Sequence, residues 1–144
     1  MDQIDRKIVA LLENDASIRN ADLANQVGLA ASSCLRRVRR LKQAGVIKRI
    51  VAITDPAAMG RGLKVMVTTK LADHTASART EWVEQLRSDP AVAQAYAVSG
   101  DVDVVVVLAV PDTAAFQKAT ERLFRKNANV TQFHSMFLLE IYKE

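Results

Sequence analysis

The sequence predicts an α+β protein in two parts: a winged helix-turn-helix over residues 1–54 and a ferredoxin-like βαββαβ domain over residues 63–144, joined by a hinge at 55–62. Three observations predict it. Apolar residues of the first part recur at helical spacing on either side of a short turn led by glycine. The period then changes to the alternation of strands. The charge is also unevenly placed: residues 1–55 hold ten Lys and Arg against six Asp and Glu, and the remainder holds ten against ten. The whole net charge of +4 therefore lies in the first part, as expected of a cationic module joined to a neutral one.

Ile4, Ile8, Leu11 and Leu12 mark a helix over residues 2–14, with Asp2 placed to cap it. Leu23 and Val27 mark a second helix over 20–27, with Asn20 as its N-cap and Gly28 as its stop. Cys34, Val38 and Leu41 mark a third, from near Ser32 to Gly45. The link Gly28-Leu29-Ala30-Ala31 is tight enough to force the second and third helices to cross steeply, which is the helix-turn-helix unit. Val46–Thr54 is β-branched and predicts an extended wing strand closed by Asp55-Pro56. Pro56, Gly60 and Gly62 make the hinge. Strands are then predicted over 63–71, 92–99, 102–110 and 130–142, the middle two joined at Gly100-Asp101. Helices are predicted over 77–88 (Trp82, Val83, Leu86) and 112–126 (Phe116, Ala119, Leu123).

Composition narrows the function classes. Hydrophobic residues make up 49% and charged residues 25%, the balance of an ordinary soluble globular protein. The longest apolar run, Val104–Val110, falls far short of the roughly 20 residues that span a bilayer. The opening MDQIDRKI has no apolar leader, and Cys34 is the sole cysteine, so a reducing cytoplasm is expected. Cys34 falls on the apolar face of its helix with no base beside it in sequence and reads as structural. His74, His134 and Cys34 are too scattered for a metal site, so none is expected. No nucleophile–base pair, glycine-rich phosphate loop or convergent carboxylates are apparent, so neither an enzyme nor a cofactor is expected.

The third helix carries the functional argument. In SSCLRRVRRLKQAG, five cations fall within about two turns and no acid interrupts them, an arrangement that repels itself unless a polyanion neutralises it. Helical geometry fans Ser32, Ser33, Arg36, Arg37 and Arg40 across the outer side, the serines at the end that meets base edges in the major groove. Arg39 and Lys42 lie towards one flank, suited to the phosphate backbone, and Lys48 and Arg49 extend that track. Leu35 has two readings, packing on the first helix or touching a thymine methyl. A charge run alone is more often a solvated face; the preceding turn, the missing acids and the charge asymmetry together favour double-stranded DNA. Two modes stay open: a sequence-specific transcriptional regulator, or an architectural nucleoid-type protein of low sequence specificity.

The segments IDRKIVALLENDASIRNADLANQVGLAASSCLRRVRRLKQAGVI, VAITDP and VSGDVDVVVVLAVPD resemble the leucine-responsive/asparagine-type (Lrp/AsnC) regulators, in order and spacing over essentially the whole chain. The resemblance implies a winged helix-turn-helix joined to a small amino-acid-binding domain of the RAM type. It also implies dimers that assemble to octamers and target genes of amino-acid metabolism. The effector site it implies lies between dimers, at the loop Ser99, Gly100, Asp101, Val102 and Asp103 and on the last strand. Some family members place two hydroxyl residues there; Phe133 and Ser135 stand at those positions, flanked by His134 and Met136, and only Ser135 keeps the hydroxyl. Glycine lets backbone amides approach a carboxylate, and aspartate pairs an ammonium. The residues alone also fit a plain hairpin turn at Gly100-Asp101. Independently, the strands Ala91–Val98 and Asp103–Val110 are apolar or small on both faces, so the sheet of a second copy is expected to cover one of them.

Overall fold

Helix α1 (Gln3–Asn14) begins where two acids stand three residues apart. The Asp5 amide donates to Asp2 Oδ1 (2.8 Å) and the Asp2 amide donates to Asp5 Oδ2 (3.1 Å), a reciprocal cap that satisfies two otherwise orphaned donors. Helix α2 (Asn20–Val27) closes on Gly28, whose φ of 70° lies in the left-handed region that a residue without Cβ reaches freely. There the Gly28 amide donates to the Asn25 carbonyl and the Leu29 amide to the Ala24 carbonyl, which ends the helix and turns the chain within three residues into α3 (Ala31–Gln43). Ile8, Leu23, Ala24, Val27, Cys34 and Leu41 form the buried centre of these three helices.

The structure, a computed structural model, describes residues 1–142. The chain divides into two compact units, Met1–Ile53 and Thr54 onward. The second unit holds β1 (Leu63–Leu71), α4 (Ala76–Ser88), β2 (Val92–Ala97), β3 (Val104–Val110), α5 (Thr113–Thr120) and β4 (Val130–Phe137). The strands form one antiparallel sheet in the order β2-β3-β1-β4, the βαββαβ arrangement that the sequence predicts. Val65 faces Leu108, Val67 faces Val106 and Thr69 faces Val104 across β1 and β3. Directly opposed residues point to the same side, so these fill one face, where Trp82, Leu86, Leu123 and Phe124 pack on them. Among the described residues no helix is long and apolar enough to cross a membrane.

Four local expectations are corrected. Val46–Thr54 forms no strand: it runs past α1 with Val51 61% and Ile53 82% exposed. A strand exists by its ladder, and no partner strand stands in that unit among the described residues. Asn20 does not cap α2. Arg19 holds that place without a side-chain bond, and Asn20 Nδ2 instead donates to the Ala31 carbonyl (2.8 Å), tying the start of α2 to the start of α3. The helix expected over 112–126 changes period: α5 is capped by Asp112 and runs into a π-helical turn, Glu121–Arg125. That wider turn sets the consecutive residues Leu123 and Phe124 both into the core, with the Trp82 indole donating to the Leu123 carbonyl (2.7 Å). The last strand stops at Phe137 rather than 142; the expectation for 143 and 144 lies outside the described residues.

Candidate nucleic-acid interface and effector loop

The cationic helix is built on a carboxylate platform. Asp5 Oδ1 accepts from Arg37 Nη1 (2.9 Å) and Asp5 Oδ2 from Arg40 Nη2 (2.7 Å), while Asp2 Oδ2 accepts from the same Arg37 Nη1 (2.6 Å). The Asp5 side chain is 1% exposed and that of Arg37 25%, against 60% for Arg40. Burial raises the Asp5 carboxyl, but the Arg37 bond, the Asp2 amide and the Arg40 charge outweigh it and hold it below its ordinary value. Asp2 is likewise lowered, chiefly by Arg37. Arg37, expected on the outer side, thus turns towards α1.

The rest of α3 meets the expectation of an exposed cationic face. Ser32, Arg36, Arg39, Arg40 and Lys42 are exposed and Ser33 is half-buried. Leu35 is 39% exposed. The helix starts at Ala30 with no side-chain acceptor on its first amides, leaving donors and the positive end of the helix dipole at the serine end. Cys34 is fully buried, and burial pushes its thiol up, which suits a structural residue. Lys48 and Arg49 follow on the exposed segment beyond α3.

In the second unit, the loop between β2 and β3 carries Ser99, Gly100, Asp101, Val102 and Asp103. Gly100 has φ +124°, a conformation that L side chains rarely adopt. Ser99, Gly100 and Asp101 are exposed, and Val102 is half-buried. Asp103 is engaged: its amide donates to the Thr69 carbonyl (2.9 Å), its carbonyl accepts from Val98 (2.9 Å), and its Oδ2 accepts from the Leu71 amide (2.8 Å). His74 Nδ1 lies 3.4 Å from the other oxygen. The loop is therefore pinned to the end of β1, a contact between residues about thirty apart that sequence spacing does not signal. Ser135 stands opposite Val67 on β4, on the helix-bearing face with Phe133; His134 and Met136 point to the other face with Thr68 and Met66. Because the loop bonds to the Thr69 and Leu71 end of β1 from the β3 side and β4 lies on the opposite side, β1 runs between the loop and Ser135. Among the described residues no cluster of His, Cys, Asp and Glu suited to a metal is present.

Comparison with known proteins agrees with both halves. Residues 1–48 match a model described as winged helix-turn-helix DNA-binding, and residues 64–144 match the Lrp/AsnC ligand binding domain. The chain is 33% identical to the HTH-type transcriptional regulator AldR of Mycolicibacterium smegmatis, covering 97% of this chain and 82% of that protein. It is 31% identical to the glutamate uptake regulatory protein of Zymomonas mobilis, covering 99% and 87%. Among solved structures, an AsnC family transcriptional regulator from Agrobacterium tumefaciens superposes with a TM-score of 0.91 at 35% identity, covering 100% and 94%. A Neisseria meningitidis transcriptional regulator in complex with L-Met gives 0.91 at 26%, covering 100% and 93%. With a DNA-reading fold at one end, a ligand-binding fold at the other and relatives spanning nearly its whole length, the chain belongs to the Lrp/AsnC family of transcriptional regulators.

Proposed function

We propose that the chain is a sequence-specific regulator that reads duplex DNA with α3 and responds to a small amino acid held in its second unit. The observation that carries this reading is the exposed face of α3: Ser32 beside uncapped helix amides, then Arg36, Arg39, Arg40 and Lys42 with no acid on the helix. Ser32 and Ser33 meet base edges, Arg36 meets a base or a phosphate, and Arg39, Arg40 and Lys42 meet phosphates. Since β1 separates the loop from Ser135 within one chain, the effector site of Ser99, Gly100, Asp101, Val102, Asp103 and Ser135 is completed between dimers. Asp101, exposed on the loop, pairs the ammonium; Asp103 holds the loop in shape. The glutamate uptake regulator and the L-Met complex among the relatives support an amino acid as the ligand.

The sheet face of Met66, Thr68, Val105, Val107, His134 and Met136 lies opposite the helices, and Tyr96 and Met136 on it are 52% and 48% exposed. A second copy covers this face, dimers assemble to octamers, and the assembly works in the cytoplasm. A two-fold dimer presents two α3 helices to half-sites about 34 Å apart.

Thermal-shift screening of the twenty amino acids, followed by DNA binding with and without the ligand found, tests the proposal. A ligand that binds the folded state raises the melting temperature in proportion to the logarithm of its concentration. The expected result is one amino acid or a small group that shifts the wild type, does not shift Asp101→Ala, and changes affinity for a selected duplex. That duplex is held at least roughly a thousandfold more tightly than random DNA. A specificity ratio near one overturns the regulator in favour of the architectural reading, and no shift with any amino acid removes the effector.

A further inference from the structure

Resting on the DNA-reading role of α3, we propose a division of labour among its arginines: Arg37 is a positioning residue that makes no DNA contact, and Arg40 bridges the platform on α1 to a phosphate. By sequence alone the two are equivalent members of one cationic run. Their surroundings differ. A single nitrogen of Arg37 serves Asp2 and Asp5 together, and three-quarters of the side chain is covered. Arg40 gives one Nη2 donor to Asp5 and keeps 60% of its side chain exposed; a guanidinium has five donors, so a phosphate has a place to bind. Among the described residues Arg36, Arg39 and Lys42 make no ion pair and are exposed.

Electrostatics separates the roles. The salt dependence of DNA binding counts cations that displace condensed counterions from phosphate. The Arg37 charge is already matched by Asp2 and one oxygen of Asp5, whose other oxygen serves Arg40, and a phosphate approaching Arg37 approaches both carboxylates as well. Arg37 and Arg40 lie one helical turn apart on the side of α3 that faces α1. The clip therefore fixes the rotation of α3 about its own axis and with it the direction in which Ser32 and Arg36 point. In this assignment Arg37 acts on base reading through Asp5 and α1.

The test uses the full-length chain and two duplexes of roughly 30 base pairs, long enough for two half-sites. One is selected from a random pool by the wild-type protein and the other is of random sequence. Kd is measured from about 50 to 300 mM salt for the wild type, Arg36→Ala, Arg40→Ala, Arg37→Ala and Arg37→Gln. Arg40→Ala is expected to lower the slope of log Kd against log salt by about 1.8, about 0.9 for the phosphate lost at each of the two half-sites, and Arg36→Ala to do the same where Arg36 meets a phosphate. Arg37→Ala is expected to keep the wild-type slope on both duplexes, to bind random DNA as the wild type does, and to bind the selected duplex about tenfold more weakly. Arg37→Gln, a neutral donor that still reaches Asp5, is expected to keep the slope and recover part of that loss. If Arg37→Ala does not fold, the slope of Arg37→Gln decides. A fall of about 1.8 in either Arg37 variant, one phosphate at each half-site, makes Arg37 a phosphate contact and overturns the assignment. An unchanged affinity for the selected duplex overturns it too, since Arg37 then neither reads nor positions. If Arg36→Ala and Arg40→Ala leave the slope unchanged, it is the DNA interface on α3 that fails.

Discussion

The two units close their interiors by different means. Among the described residues the second gathers eleven buried apolar residues into one cluster, including Trp82 and Phe124 in edge-to-face contact at 6.4 Å, with Phe133 5.4 Å beyond. The buried polar atoms Trp82 Nε1 and Thr69 Oγ1 both donate to backbone carbonyls. The first unit buries six apolar residues and has no aromatic residue in its sequence. It adds instead the charged bridge from Asp2 and Asp5 to Arg37 and Arg40, which joins helices more than thirty residues apart. In the second unit, apolar area holds the fold and leaves the loop proposed to bind the effector at its edge. In the first, part of the cationic helix proposed to read DNA also holds the fold, so stability and recognition share side chains.

This contrast is broken most forcefully at Phe124. Its ring touches Trp82 and Phe133 and is 1% exposed. Phe124→Ala should cost about 3–5 kcal/mol, the transfer term and the cavity together. Trp82 is the only tryptophan and lies in this core, so its emission reports the second unit alone. A urea midpoint by Trp82 fluorescence that moves by less than a quarter of that expectation would show that the aromatic cluster is not what holds the unit.

A smaller effect should separate the units by acid. Asp2 and Asp5 are held below the ordinary aspartate value of 3.8. Groups whose pKa is lowered on folding stabilise the native state above their unfolded pKa, and that contribution is lost as pH falls through the folded pKa. In urea titrations followed by far-UV circular dichroism, stability should therefore fall on acidification below about pH 4. An Asp2→Asn/Asp5→Asn double variant should show a flatter decline that begins from a lower value at neutral pH. Parallel pH profiles would mean that the platform adds nothing to stability and that the first unit rests on its apolar core as the second does.

What the sequence discloses follows the same division. The apolar spacing of Ile4, Ile8 and Leu11, the Gly28 turn and the βαββαβ order are local patterns, and each corresponds to an observed element. Asp2 as the cap of α1 is also local, and it is found. Val46–Thr54 has strand composition but no strand, because a strand requires a neighbour that composition does not specify. The alternation along the last strand shows that Phe133 and Ser135 share a face, but which face follows only from the register of Ser135 against Val67. The inward turn of Arg37 was hidden for a related reason. Cys34, Val38 and Leu41 define the buried line, and Arg37 lies close enough to it that only Asp2 and Asp5, far upstream, decide its direction. The engagement of Asp103 with Leu71 is likewise a long-range bond beneath a pattern that reads locally as a hairpin turn.

The smallest expected effect tests whether the turn of the first unit is set by backbone conformation alone. A Cβ at Gly28 would meet nothing within 4 Å, so no clash contributes. The φ of 70° is the whole obstacle, and an L side chain there costs roughly 1–2 kcal/mol. Gly28→Ala should lower the stability read from helical circular dichroism by that amount and leave the Trp82 transition where it is. Gly28→Asn should lose less, because asparagine enters the left-handed region more readily than alanine. A larger loss than this, or an equal loss in the two variants, would mean that the close of α2 depends on something besides φ. The bonds from Gly28 and Leu29 back to Asn25 and Ala24 would be the first place to look, since they bend the chain towards the helix that carries the arginines.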